Sequence, residues 1–264
     1  MASNDAPVRL DIDAGIADIR FNRPQCLNAI DLDAAVAFRA AVVDATAHPD
    51  VRVIVLSGEG RAFVAGGDLA YFRAAGQQAP QAARRLIVPM HEAIARLSAA
   101  SQPVVASLHG AVAGAGMSIA MLADIAVAAD DCIFNLAYVN VGNSPDCSAT
   151  WSLPRLVGLK KAMEIALLGD SVAADEALRL GLVNRVVPRA ELSAQTRRLA
   201  ARLAAAAPLA LASTKRQLRA SLQRTLPEQL DDEAASFAGN AASADFHEAL
   251  AAFFEKRRPE FTGH

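Results

Sequence analysis

The sequence predicts an α/β protein with parallel strand pairing, on three observations. Short apolar runs at residues 51–56, 104–108 and 124–129 have the length and density of strands buried on both faces. Stretches with apolar residues at helical spacing separate them, giving the alternation that a parallel sheet requires. Two of these strands also run into glycine-bearing loops, SGEGRAFVAGGDLA and HGAVAGAG, before a helical pattern resumes. At 264 residues the chain is long enough for one large domain, or a domain with an appendage, around a sizeable core.

The elements follow in order. Residues 8–13 and 17–21 read as two strands across an Ala14-Gly15 turn. After the loop NRPQCLNAI, Asp31 is placed to cap a helix with Leu32, Val36 and Val43 on its inner face. Gly66 and Gly67 precede Asp68, and a helix with Leu86, Met90, Ile94 and Leu97 in line leads to the strand at 104–108. Residues 132–136 read as a short strand, and VNVGNSPDCSATWSLP as a loop leading into a helix. Residues 160–168 and 171–180 read as helices stopped by Gly169 and Gly181. From Ala190 onward the pattern is helical, with Pro208 and Pro227 placed to start new helices.

The stretch PVVASLHGAVAGAGMSIAMLADIAVAAD is the centre of this plan. A strand turning through Gly110, Gly114 and Gly116 into a helix leaves the first backbone N–H groups of that helix unpartnered. Those groups and the helix dipole favour a negative charge held there, and small residues let a ligand oxygen approach the backbone. An oxyanion site and a tight, purely structural strand–helix junction fit this stretch equally well. The spacing G-x-x-x-G-x-G is neither the dinucleotide fingerprint nor a phosphate loop.

Composition narrows the function. No apolar run approaches a membrane span, and MASNDAPVRL lacks the charged and apolar halves of a secretory leader. Cys26, Cys132 and Cys147 are odd in number and lack paired metal-ligand spacing, which argues against a disulfide framework or zinc site and for a reduced, cytoplasmic enzyme. The net charge of −2 argues against a nucleic-acid partner. Its distribution is uneven, +7 over residues 189–224 and −5 over 225–264, which reads as solvated helix faces pairing with each other or with a second subunit.

Five stretches in this order resemble the crotonase (enoyl-CoA hydratase/isomerase) superfamily. FNRPQCLNAID is similar to the family's CoA loop, GRAFVAGGDL to its first oxyanion loop, and HGAVAGAGMSIAMLADIAVA to its second. GDSVAADEALRLGLVNRVVP and FFEKRRPEF are similar to its late-chain signatures. The resemblance implies a spiral of ββα units over residues 1–200, a helical oligomerisation region over 201–264, and trimers or dimers of trimers. It implies an acyl-CoA thioester whose enolate oxygen is held by the N–H groups of Gly67 and Ala115, the latter in place of the usual glycine. Arg23, Leu27 and Ala29 would line the CoA path, with Ala65, Gly66, Asp68 and Leu69 by the adenine. Phe237 and Lys256 match the late CoA contacts, often made by a neighbouring subunit. Neither a metal nor a separate cofactor is called for, since coenzyme A is part of the substrate.

The acid/base positions depart from the hydratases of the family. Ser118 and Tyr138 stand where those enzymes carry two glutamates, so both fall in the acyl pocket without a carboxylate. The remaining carboxylate, Asp146 in SPDCSATW, resembles the base in PDCGGTW of the bacterial ring-epoxide and enoyl-CoA isomerases linked to phenylacetate breakdown. An isomerase using Asp146 as base is the leading expectation. The alternatives are a hydratase with atypical acid/base residues, a dehalogenase-like hydrolase with Asp146 as nucleophile, and a non-catalytic or RNA-binding member. The dehalogenases also need a histidine on the preceding helix, and the sequence reading assigns that position to Ala95. Read without the family, Asp146 is an ordinary helix N-cap. His91 and His109 read as structural.

Overall fold

The computed structural model describes residues 5–264; the first four residues of the amino-terminal stretch MASNDAPVRL lie outside the described residues. The chain folds by adding units of two strands and a helix. Strands β1 (Val8–Asp13) and β2 (Ile16–Phe21) form a hairpin through Ala14 and Gly15, both at positive φ, and helix α1 (Leu32–Ala47) follows. Strand β3 (Val53–Gly58) precedes helices α2 (Leu69–Ala75) and α3 (Ala79–Ala99). Two clear repeats come next: β4 (Val104–Leu108), β5 (Ala111–Ala113) and α4 (Ala115–Leu122), then β6 (Ile125–Ala129), β7 (Ile133–Asn135) and α5 (Ala149–Leu168). The second half closes with β8 (Val172–Ala173), α6 (Ala174–Leu180), β9 (Arg185–Val187) and α7 (Leu192–Ala204). Three helices end the chain: α8 (Pro208–Ser221), α9 (Leu226–Ala241) and α10 (Ala244–Glu255).

Successive strands of a repeat go to different sheets. The larger sheet has the order β1-β2-β3-β4-β6-β9, parallel beyond its first hairpin; the smaller has the order β5-β7-β8. This is the α/β fold with parallel pairing that the sequence pattern predicts, in the spiral that the family resemblance implies. All five side chains of β4 are buried, as a strand covered on both faces must be. On one face Phe21 of β2 meets Phe38 of α1 at 5.0 Å between ring centroids. On the other, Ser107 of β4 pairs with Thr196 of α7 at 3.0 Å. Thus α7 packs on the sheet and runs across the division expected near residue 200.

Four local expectations need correction. Val36 and Val43 of α1 are exposed, and the buried face is Ala34, Ala35, Phe38, Ala41, Val42 and Ala45. At about 100° per residue Val36 and Val43 fall on the side of the helix opposite Ala34, Phe38, Ala41, Val42 and Ala45, the face that meets α3. The stretch 171–180 is not all helix, because Val172 pairs with Phe134 of β7 before α6 begins. Helix α5 starts at Ala149, eleven residues before the expected Lys160, and bends at Gly158, whose φ of 75° and ψ of 157° are not helical. The side chain of Asp146 does not cap it; Ser148 occupies the N-cap position, with no side-chain cap hydrogen bond. No helix is long and apolar enough to cross a membrane among the described residues, and Cys26, Cys132 and Cys147 are free thiols.

The C-terminal helices are tied down by charge. Asp124, at the end of α4, takes Lys215 at 2.9 Å and Arg219 at 2.6 Å from α8, and its second role is to accept the N–H of Val104 at 2.8 Å. Arg216 and Arg224 both reach Asp232 on α9, at 2.8 and 2.7 Å. The basic and acidic segments of the sequence therefore pair with one another in part.

Candidate active site

The site begins where three loops are laced by peptide groups. Ile30 donates to Gly66 O at 2.8 Å and accepts from Asp68 N–H at 2.8 Å, so Gly67 sits in a parallel bridge to Ile30. In that geometry the N–H of Gly67 itself points away from Ile30, and it has no protein acceptor among the described residues. Val64 forms a second bridge, to Val112, with Ala113 N–H on Val64 O at 2.9 Å. The two glycine-bearing loops are thus side by side. They touch backbone to backbone: a Cβ on Gly66, which lies at φ +102°, would be 3.3 Å from Ala113 O. A Cβ on Gly116 would be 2.1 Å from Val64 O, so no side chain fits there.

Ala115 is the first residue of α4 and is absent from the positive-φ residues, so it takes its place without the freedom of glycine. Its N–H is one of the helix's orphan donors and has no protein acceptor among the described residues. Gly67 and Ala115 therefore offer two unspent donors on adjoining loops, the arrangement that stabilises a developing oxyanion.

A hydrogen-bond chain links this helix to the candidate base. Ser118, wholly buried one turn into α4, lies 3.3 Å from the Tyr138 hydroxyl, and Tyr138 donates to Asp146 Oδ1. Burial and the Asp146 carboxylate push the Tyr138 phenol well above its usual range, so it remains a donor. Asp146 is carried by a sharp turn in which Cys147 and Ser148 both have positive φ, 53° and 73°, a costly conformation for residues with side chains. The same turn is held from α3: the Cys147 N–H donates to His91 Nε2 at 3.3 Å. The ligand atoms of His91, Asp146 and Cys147 all lie within 4.8 Å of one another. Burial first, and Asp146 second, push the Cys147 thiol up, so it is a neutral thiol here.

The comparison with known proteins decides the family. A family model described as enoyl-CoA hydratase/isomerase matches residues 11–264. This chain belongs to the enoyl-CoA hydratase/isomerase family. It is 39% identical over 256 residues to a "Probable enoyl-CoA hydratase" of Rhodobacter capsulatus, covering 97% of this chain and 98% of the relative. It is 32% identical over 257 residues to a 1,2-epoxyphenylacetyl-CoA isomerase of Escherichia coli K12, covering 96% and 97%. Among solved structures, an enoyl-CoA hydratase from Polaromonas sp. JS666 superposes with a TM-score of 0.92 at 33% identity, covering 97% of this chain and 99% of that one.

Within this enoyl-CoA hydratase/isomerase chain, the CoA-loop residues are strongly engaged. Asn28, buried at φ 58°, donates to Glu59 O, Ala62 O and Phe63 O at 2.8–3.0 Å and accepts from Arg23 N–H at 2.7 Å. Leu27 O takes the Ala65 N–H at 3.0 Å, which joins the CoA loop to the first oxyanion loop. Arg23 is held by Asp31 at 2.8 Å, by Asp68 at 3.1 Å and by Ala29 O. Its guanidinium braces the loop rather than standing free for a phosphate. Asp68 also caps α2 through Ala70 N–H at 3.0 Å, and Leu69 beside it is exposed. Phe237 is exposed on α9, edge-on to Phe246, and Lys256 ends α10 at φ 56°. No hydrogen bond or ion pair joins either to the oxyanion loops among the described residues.

Two residues were missed by the sequence reading. Asn28 was passed over, although a polar residue inside an apolar loop that must bend was a usable signal. The sequence reading gives His91 a structural role and assigns the histidine position to Ala95; the structure brings His91 to the Asp146 turn, and Ala95, one turn further along α3, lines the same cavity.

Proposed function

We propose that the protein is an enoyl-CoA isomerase in which Asp146 moves a proton while Gly67 and Ala115 hold the enolate oxygen. The observation that carries this reading is the single carboxylate, hydrogen-bonded to Tyr138 and through it to Ser118, where a hydratase of the family would bring two glutamates. A 3-enoyl-CoA has its C2 hydrogens between the thioester carbonyl and the double bond. Asp146 removes one, the charge spreads to the thioester oxygen, and the two backbone donors stabilise it. The same carboxyl group returns the proton at C4, and the double bond moves into conjugation. No water is added, so one base suffices. Opening or rearranging a ring epoxide on an aryl-CoA would use the same parts. The reaction needs no resident metal or redox cofactor.

Asp146→Asn tests this directly. The amide oxygen still accepts from Tyr138, but the group no longer takes a proton. We expect kcat to fall by roughly 100- to 10,000-fold with KM little changed. Near-normal turnover of 3-enoyl-CoA by the variant, or efficient hydration of crotonyl-CoA by the wild type with 3-enoyl-CoA ignored, overturns the reading.

A second reading gains from His91. In the dehalogenases of the family an aspartate at this position attacks an aryl-CoA ring carbon, and a histidine on the preceding helix serves the hydrolysis. Here His91 stands beside the Asp146 turn. Single turnover of a halogenated aryl-CoA in heavy-oxygen water would label Asp146 and release halide under this reading, with the rate lost in His91→Gln.

A further inference from the structure

We infer that His91, Asp146 and Cys147 form a binding site for a zinc-class divalent cation, and that occupancy withdraws Asp146 from proton transfer. The site goes beyond the proposed reaction; only its inhibitory effect rests on Asp146 being the base. The donor set is one imidazole nitrogen, one carboxylate oxygen and one sulfur, a combination suited to zinc rather than to magnesium or calcium.

The separations are within reach. Zinc bonds of about 2.0–2.3 Å place neighbouring ligand atoms roughly 3.3–3.8 Å apart in a tetrahedron. The three atoms here already lie within 4.8 Å of one another, so side-chain rotations of about an ångström close the gap. Two ligands are fixed by neighbours. Asp146 Oδ1 accepts from Tyr138, which leaves Oδ2 for the metal, and Cys147 is buried on a turn whose φ values allow little alternative placement. His91 is exposed and lines a cavity of about 270 Å³ with Ile94, Ala95, Ser98, Leu122, Ser148 and Trp151, so the imidazole is open to an ion arriving from solvent. The bond to the Cys147 N–H is the one interaction the imidazole gives up or shares. On binding, the thiol proton leaves to solvent and the sulfur bonds as thiolate. Three protein ligands leave a fourth position for water, as in zinc sites that remain open.

The other thiols provide the control. Cys26 and Cys132 join no such His and carboxylate group among the described residues.

The test is a cobalt titration of chelator-treated full-length protein, followed by absorption. Binding at this site gives a thiolate-to-cobalt charge-transfer band together with the visible bands of a four-coordinate ion, both removed by stoichiometric zinc. Cys147→Ser abolishes the charge-transfer band, and His91→Ala weakens cobalt binding by at least roughly tenfold, the scale of losing a metal contact. Zinc lowers isomerase turnover in the wild type, a chelator restores it, and the zinc-to-chelator rate ratio returns toward one in Cys147→Ser. No charge-transfer band, or a band that survives in Cys147→Ser, overturns the site. A band that behaves as expected while zinc leaves turnover unchanged overturns the inhibition alone. If neither 3-enoyl- nor aryl-CoA is turned over with or without chelator, the functional reading fails while the spectra still decide the site.

Discussion

His109 and Asp146 show how little of a residue's role is carried by its type. His109 follows a buried strand and Asp146 sits beside a strained turn, yet one is engaged by structure and the other is the base we propose. His109 is buried, its Nε2 lies 3.1 Å from Gly60 O, and burial with Arg189 nearby lowers its pKa from the ordinary 6.5. The unfolded chain therefore binds a proton at a pH where the native ring is still neutral. The stability due to the neutral ring is full above 6.5 and is lost as pH falls through the depressed native value. Replacing His109 with Gln, which does not titrate, should flatten the fall of Tm between neutral pH and about pH 5. A fall as steep as in the wild type would show that other groups govern that range. His91 illustrates the reverse case. Its partner is 56 residues away, so no local pattern announces their meeting, whereas strand, loop and helix are consecutive around Gly67 and Ala115, and the family resemblance picks out those two residues.

At the scale of the element, α4 does two things with its eight residues. Its N-terminus offers the Ala115 donor, and its side chains, all buried, fill the core. Proline is tolerated at the first position of a helix, since the N–H it removes has no intrahelical partner. Ala115→Pro should therefore retain the helix by circular dichroism and lose roughly 100- to 1,000-fold in turnover, the usual effect of losing one oxyanion donor. Retained activity would mean that the thioester oxygen sits elsewhere. The other elements were unequally legible. Buried strands stand out as apolar runs, and α3 shows a strong periodic stripe that the structure buries. Helix α1 is apolar nearly all round and rich in alanine, so its inner face followed from close contact with α3 and not from the spacing of its valines. Strand β8 has two residues, too few for alternation to be seen.

At the scale of the molecule, the C-terminal helices depend on a buried charge. Lys215 is 8% exposed at its side chain and Asp124 is 18% exposed. Asp124→Ala leaves Lys215 and Arg219 without their carboxylate, and breaking such a buried pair costs about 3–5 kcal/mol. Chemical denaturation should show that loss as a lower midpoint, with α8 the first segment to exchange its amide hydrogens. An unchanged midpoint would mean that the carbonyls of Leu97, Gln102 and Leu122 and the Ser98 hydroxyl suffice to hold the two cations. Helices α8 and α9 bury no apolar residue, while Leu218, Leu222, Leu226, Phe237, Phe253 and Phe254 are exposed. Such a surface predicts a trimer or hexamer by light scattering at micromolar concentration; a monomer that still binds CoA would contradict it. The pairings of Ile30 with Gly67 and Val64 with Val112 have a further consequence for how this molecule can change. They and the two donors are made of peptide groups, which, Gly66 and Gly116 apart, do not depend on the side chain a codon specifies. The hydrogen-bonded groups at 118, 138 and 146 are side chains, each open to replacement by a single altered codon. Heritable variation can thus exchange the side chains of this pocket while the paired loops and their two free N–H groups pass unaltered from parent to descendant.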